Sequence, residues 1–181
     1  VLIDLMGHTH GVRFPVLAMR AAPIQVTWLG YPGTTGAEYI DYIFVDDIVV
    51  PRNRSASLAE KPAYLSVYQP NDSTLPFPEL FSREAAGLPV DAVVLGCFCR
   101  SEKLDPVLFD VWMDILKSNP RTVLWLYASQ QVVRENLLSY ASKHGLDGGR
   151  IFFADKVPKR DHLRRLTAMD IALDTRMYNG H

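Results

Sequence analysis

The sequence predicts an α/β protein built on parallel sheets and divided into two lobes. Its strand candidates are short, nearly continuous apolar runs, the pattern of strands covered on both faces. From Asp91 to Asp174 such runs alternate with amphipathic helical patterns, which is the order of a doubly wound unit. Between this region and the earlier strands, Pro51 to Val90 holds half of the twelve prolines, and that shift in composition marks a join. We therefore expect a first lobe over residues 1–65, a linker over 66–90 and a second lobe over 91–181.

The strands follow in order as Val1 to Leu5, Ile24 to Leu29, Tyr42 to Val45, a short one near Ala63 to Val67, then Val93 to Phe98, Thr122 to Tyr127, Ile151 to Ala154 and Ile171 to Asp174. The later helices are well signposted. Asp105-Pro106 is an N-cap followed by proline at the first helical position, and Leu108, Val111, Trp112, Ile115 and Leu116 recur at helical spacing until Asn119-Pro120. A second helix carries Val133, Leu137 and Tyr140 and ends at Gly145, a residue suited to a left-handed cap. A third begins near Pro158 with Leu163, Leu166 and Met169. At about 100° per residue its apolar stripe also takes in Lys159 and His162, whereas Arg160, Asp161 and Arg164 point outward and Arg165 is intermediate.

Composition removes several classes. Of 181 residues, 48% are apolar and 22% charged, ordinary for a soluble globular chain. Nineteen Lys and Arg against twenty Asp and Glu leave a net charge of −1, which favours neither a nucleic-acid nor an anionic-membrane partner. No apolar run approaches the roughly 18 residues of a membrane span, and no charged leader opens the chain, so a cytoplasmic protein is expected. Two cysteines, Cys97 and Cys99, exclude a disulfide framework. The start on Val1 and the loop-like end at Asn179-Gly180-His181 suggest a piece of a longer protein.

In an open parallel sheet, ligands bind beyond the carboxyl ends of the strands. The loop after Val93 to Phe98 brings Arg100, Glu102 and Lys103 to a helix start, where an ammonium beside free amides suits a phosphate; a solvated loop lysine is the plainer alternative. After Ile151 to Ala154, Lys159 and His162 face inward, so either the first helical turn overhangs a cleft or a ligand partners them. After Ile24 to Leu29, Gly30-Tyr31-Pro32-Gly33 lacks both the dinucleotide fingerprint and the P-loop pattern, yet lets backbone approach a ligand. His8-x-His10 lacks a third metal ligand, and no Gly-x-Ser-x-Gly elbow occurs. We therefore expect neither a metal nor a cofactor.

The segments Gly7 to Arg13, Leu17 to Gly36 and Asp41-Tyr42-Ile43 resemble the catalytic region of the O-linked N-acetylglucosamine transferases, the family that includes the plant SPINDLY proteins. Phe98 to Pro106, Val123 to Leu126, Arg150 to Phe153, Val157-Pro158-Lys159 with His162 and Arg164-Arg165, and Leu173-Asp174-Thr175 with Asn179-Gly180-His181 resemble its later part in the same order. The likeness is most specific over Arg20 to Gly36 and weakest over Arg52 to Asp91.

The resemblance implies a two-lobed glycosyltransferase fold of the B type with Rossmann-like lobes, both incomplete here, and an inverting, metal-independent transfer of N-acetylglucosamine from UDP-GlcNAc to Ser or Thr of a protein or peptide acceptor. It implies that Lys103 binds the diphosphate, that Val157, Lys159, His162 and Arg165 contact uridine and ribose, that Leu29, Gly30 and Pro32 approach the sugar, and that His181 begins the pyrophosphate loop. Arg100 stands where the family carries an amide side chain and Glu102 where it carries an aromatic one. Another donor (GDP-fucose or UDP-glucose) and a non-catalytic nucleotide-binding module therefore stay open. The tetratricopeptide repeats of the family lie outside this chain, and the piece alone is expected to be inactive.

Overall fold

The computed structural model describes residues 1–69, 71 and 79–180; the expected site residue His181 lies outside them. The chain forms two compact units, Val1–Leu75 and Pro76–His181. The division falls inside the stretch expected as a linker, but residues flanking it are integral to the units. Tyr68 is buried in the first, and Leu88 lies in the core of the second.

Among the described residues the first unit carries four parallel strands, β1 (Leu2–Asp4), β2 (Gln25–Thr27), β3 (Tyr42–Val45) and β4 (Lys61–Tyr64), in that spatial order. A helix that the apolar pattern did not announce, α1 (Phe14–Ala18), joins β1 to β2. At five residues it is too short to show a helical period. Gln25 is fully buried and donates through Nε2 to the carbonyls of Leu17 and Tyr39, both at 2.8 Å. Arg20, with φ +53°, bridges the Asp41 carboxylate and the Tyr39 and Pro23 carbonyls. This network of charge-assisted bonds is why the Arg20 to Asp41 stretch holds a long irregular connection in one conformation.

Among the described residues the second unit has four parallel strands in one sheet, its third, second, first and fourth strands in chain order lying side by side in that sequence. These are β5 (Val93–Cys97), β6 (Thr122–Tyr127), β7 (Ile151–Ala154) and β8 (Ile171–Ala172). The helices are α2 (Pro106–Ser118), α3 (Gln131–Lys143) and α4 (Lys159–Arg165). Asp105 caps α2 by accepting from the Leu108 amide at 3.2 Å, with proline next to it, as the sequence requires. Period-2 alternation gives the sheet two cores. Leu95, Cys97, Leu124 and Leu126 pack with Phe109, Trp112, Met113, Leu116 and Ala141, the faces of α2 and α3. Val94, Val123 and Trp125 pack on the other side with Leu88 and Ala168. Gly96 lies on that second side, where a Cβ would stand 1.8 Å from the Met169 Sδ. A glycine is needed for Met169 to lie on the strand.

Strands β5, β6 and β7 progress in one direction across the sheet, and β8 then returns to the opposite side of β5. The order therefore reverses at β5. The crevice beyond the carboxyl ends of β5 and β8 is the topological switch point, the place where doubly wound sheets bind ligands.

Candidate functional site

Two loops meet at this switch point. One leaves β5 through Phe98, Cys99 and Arg100 into a 3₁₀ turn at Ser101–Lys103; the other follows β8 from Leu173 to Gly180. Lys103 Nζ donates to the Asn179 carbonyl at 2.8 Å and lies 4.5 Å from the centre of the Tyr178 ring. The side chain expected to bind the diphosphate is thus tied to the loop after β8, in a contact open to solvent. Arg176 adds a second link by pairing with Asp105 at 3.1 Å.

Beside the crevice, α4 brings a second group together. Arg165 is 8% exposed, donates from Nη1 to the Asp155 carbonyl at 2.6 Å and lies 4.6 Å from the Phe98 ring centre. Its Nε donates to His162 Nδ1 at 3.2 Å. Burial, with the Arg165 charge in support, holds His162 below its ordinary titration range. A neutral ring that accepts at Nδ1 carries its proton on Nε2, so His162 offers a hydrogen-bond donor there.

Lys159 departs from the expectation, for its side chain is exposed and the inward cation of α4 is Arg165. The reason is length. After seven residues α4 gives way to a 3₁₀ turn at Leu166–Ala168, so Leu166 and Met169 do not extend its stripe, and the face turned to the sheet is that of His162 and Arg165. Val157, half-buried, lies in the extended approach to the helix.

Arg100 lies apart from Lys103's contacts and lines a cavity of about 340 Å³ with Ser101, Glu102, Tyr127, Ser129, Gln130 and Lys156. Arg100 pairs with Glu102 at 3.4 Å. Gln130 and Lys156, which no motif singles out, follow β6 and β7 and so lie where ligands bind beyond strand carboxyl ends.

In the first unit, Leu29, Gly30 and Pro32 follow β2. Leu29 has φ +68°, and the Gly30 amide donates to the Trp28 carbonyl at 2.9 Å. This closes a three-residue turn about a residue in a conformation that costs a branched side chain of order 1–3 kcal/mol. Tyr68 holds the turn by donating to the Leu29 carbonyl at 3.1 Å. A Cβ at Gly30 would fall 2.1 Å from the Leu5 carbonyl oxygen. The next loop is braced by Glu60, which is buried and accepts from the Thr34 hydroxyl and the Thr35 amide, each at 2.7 Å, and from the Thr35 hydroxyl. Burial pushes the Glu60 carboxyl up, but these bonds outweigh it and hold the group below its usual range.

Other reactive groups are set for structural duty. Burial pushes the Cys97 thiol up to about 12, leaving it protonated and unreactive at neutral pH. His8 is held by a 2.9 Å hydrogen bond between Nε2 and the Thr35 carbonyl, with Phe14 and Tyr31 packed edge-on. Among the described residues no three His, Cys, Asp or Glu side chains are grouped to hold a metal, and no helix is long and apolar enough to cross a membrane.

A parallel α/β unit whose strand order reverses at one strand belongs to the class of Rossmann-like folds. Comparison with known proteins narrows this. The family model "Glycosyl transferase family 41" matches residues 1–71 and 74–181, and the chain belongs to that family. It is 37% identical, over its whole length, to the Arabidopsis thaliana protein named "Probable UDP-N-acetylglucosamine–peptide N-acetylglucosaminyltransferase SEC", of which it covers 19%. It is 33% identical over 99% of its length to the SPINDLY protein of Eustoma exaltatum, of which it covers 20%. A solved lysine-to-methionine mutant of the Thermobaculum terrenum O-GlcNAc transferase superposes with a TM-score of 0.86 at 31% identity, over 99% of this chain and 34% of that one. The fold is that of the glycosyltransferase-B catalytic region, and the chain spans about a fifth of the length of these curated relatives.

Proposed function

We propose that this chain supplies the sugar-nucleotide-binding part of a protein O-GlcNAc transferase, a cytoplasmic enzyme that moves N-acetylglucosamine from UDP-GlcNAc to Ser or Thr of a protein or peptide acceptor. The observation that carries this reading is Lys103, whose ammonium crosses the β5–β8 switch point on the loop where a diphosphate would lie. In the transfer, the acceptor oxygen forms a bond to the anomeric carbon as the bond to the β-phosphate oxygen breaks, with inversion. The acceptor hydroxyl's proton passes to solvent water, and UDP leaves with added negative charge. The Lys103 ammonium meets that charge without a metal or other cofactor; removing one such positioned donor costs on the order of 3 kcal/mol, about a hundredfold in rate.

The remaining candidates take consistent roles. His162 directs its Nε2–H at a base carbonyl, Arg165 fixes that ring, and Val157 and Lys159 flank the ribose. Leu29, Gly30 and Pro32 serve the sugar, Leu29 from backbone at φ +68°, and His181 serves the diphosphate, as the family resemblance implies. The balanced charge of the chain supports a protein acceptor rather than a nucleic acid or a membrane. Titration of the chain with UDP tests the reading: UDP binds, and Lys103→Ala weakens it by about tenfold to a hundredfold, the loss of a charge-assisted hydrogen bond. Equal affinity in wild type and Lys103→Ala would remove Lys103 from the site. A second reading, a different donor such as GDP-fucose or UDP-glucose, draws on the Arg100–Glu102 pair lining the neighbouring cavity. Competition among nucleotides separates the two.

A further inference from the structure

The loop after β8 is irregular, and most of it is exposed, yet it is tied to one atom. Asp174 Oδ1 accepts from the Gly180 amide at 2.6 Å, from the Thr175 amide at 2.7 Å and from the Cys99 thiol at 3.4 Å. The first two bonds close the loop on itself, from its first residue to its last described one. The third ties it to the strand-end loop that carries Lys103. Inside the loop, Thr175 is 1% exposed and its hydroxyl donates to the Tyr178 carbonyl at 2.5 Å, while Asn179 Nδ2 donates to the Thr175 carbonyl at 2.8 Å. These bonds turn the Asn179 carbonyl towards the crevice, where it receives Lys103 at 2.8 Å. The packing leaves little slack, since a Cβ on Gly180 would sit 3.2 Å from Cys99 Sγ and 3.3 Å from Asp174 Oδ1.

We propose that Asp174 is a positioning residue: by gathering the 175–180 loop around its Oδ1 and joining it to Cys99, it presents the Asn179 carbonyl that holds the Lys103 ammonium at the switch point. Asp174 touches no reacting atom in this account and acts only through Lys103. The consequence for the site rests on the nucleotide-binding reading above; the positioning itself does not. A long lysine side chain has rotamer freedom worth up to about 2 kcal/mol, and a fixed carbonyl that limits it in advance lowers the ordering cost when a phosphate arrives.

The bonds from Gly180, Thr175 and Cys99 run to Oδ1, so Asp174→Asn keeps that acceptor, whereas Asp174→Ala removes it. In the ligand-free chain, amide exchange at Thr175 and Gly180 and the Lys103 ammonium resonance report the positioning. Asp174→Ala is expected to speed exchange at both amides at least about tenfold and to broaden the Lys103 resonance into the average of the free lysines, with Asp174→Asn close to wild type. Unchanged exchange and an unchanged Lys103 resonance in Asp174→Ala would overturn the proposal, as would loss of both in Asp174→Asn.

UDP titration adds the second arm. Asp174→Ala is expected to weaken UDP about tenfold in the wild-type background and less than twofold in the Lys103→Ala background, because it acts through that side chain. Equal loss in both backgrounds marks a merely structural role and overturns the proposal. A wild-type chain that binds no UDP, yet shows the exchange and resonance changes, would sink the nucleotide reading and leave the positioning intact.

Discussion

Replacing Arg165 by methionine isolates the device that sets His162. The substitution keeps an apolar stem of similar reach and removes only the guanidinium. Three contacts disappear: the bond to the Asp155 carbonyl, the bond to His162 Nδ1 and the stacking on Phe98. Hydrogen bonds to a charged group contribute about 1.5–3 kcal/mol and a cation–π contact about 1 kcal/mol. The guanidinium is also relieved of its desolvation cost, and the Asp155 carbonyl lies beside exposed residues where water replaces the lost donor. The net loss for the second unit is therefore about 1–3 kcal/mol, or about 5–15 °C in its midpoint of thermal unfolding.

The same change moves His162 in a direction that separates this account from a general loss of packing. Burial is the larger cause of its lowered titration and the Arg165 charge the smaller. In Arg165→Met the ring should therefore titrate at higher pH than in wild type while staying below the ordinary value of about 6.5. The sign for stability follows. Between the folded and unfolded titration points of wild-type His162 the unfolded chain binds more protons, so its contribution is full above about pH 6.5 and is lost as pH falls through the folded value. Arg165→Met narrows that window, giving a protein less stable at neutral pH whose stability falls less steeply on the acid side. Proton NMR titration, with His162→Gln to assign the resonance, and thermal unfolding from pH 5 to 8 read both effects. A His162 resonance that does not move upward in Arg165→Met refutes the electrostatic link.

Three further outcomes follow from close contacts and paired charges. Gly96→Ala places a methyl 1.8 Å from the Met169 Sδ; it should cost about 1–3 kcal/mol in denaturant unfolding, and Met169→Ala in the same chain should recover part of the loss. Gly30→Ala meets the Leu5 carbonyl oxygen at 2.1 Å, a backbone atom with no rotamer to change, so it should cost more than about 3 kcal/mol and abolish cooperative unfolding of the first unit. Asp170 is held below its usual range chiefly by the Val94 amide, with burial opposing and Arg83 assisting. It stabilises the fold above the ordinary carboxylate value and ceases to as pH falls through its folded one. Asp170→Asn should therefore lower the unfolding midpoint at neutral pH and flatten its acid limb.

Much of the second unit was legible because its signals are local. Thr122 to Tyr127 and Ile151 to Ala154 are strands to the residue, since uninterrupted apolar runs bounded by polar turns leave no competing period. The Asp105 cap and the stop at Asn119 are chemical signals of the same local kind. The phase of α4 was not legible. Seven residues make barely two turns, and a stripe drawn through Leu163, Leu166 and Met169 assumes a helix that in fact tightens into a 3₁₀ turn. A buried guanidinium also defeats any reading that sorts residues by polarity. Arg165 goes inward because Phe98, His162 and a carbonyl are there to receive it, and two of those three come from other segments.

The site itself depends on a property that no local pattern contains. That Lys103 faces Asn179 follows from β8 pairing with β5 rather than with β7, a choice made by the whole sheet. Had β8 continued the progression beyond β7, two strands would separate it from β5, and Lys103 would be the solvated loop residue its own neighbourhood suggests. The reversal of strand order therefore turns an ordinary cation into a candidate diphosphate ligand. The Cys99–Asp174 contact depends on it as well, because a bond between residues 75 positions apart exists only while β5 and β8 are neighbours. Perturbing the β5–β8 pairing should accordingly disturb Lys103 and the 175–180 loop together, with the β5–β6 pairing and the α2–α3 core left in place.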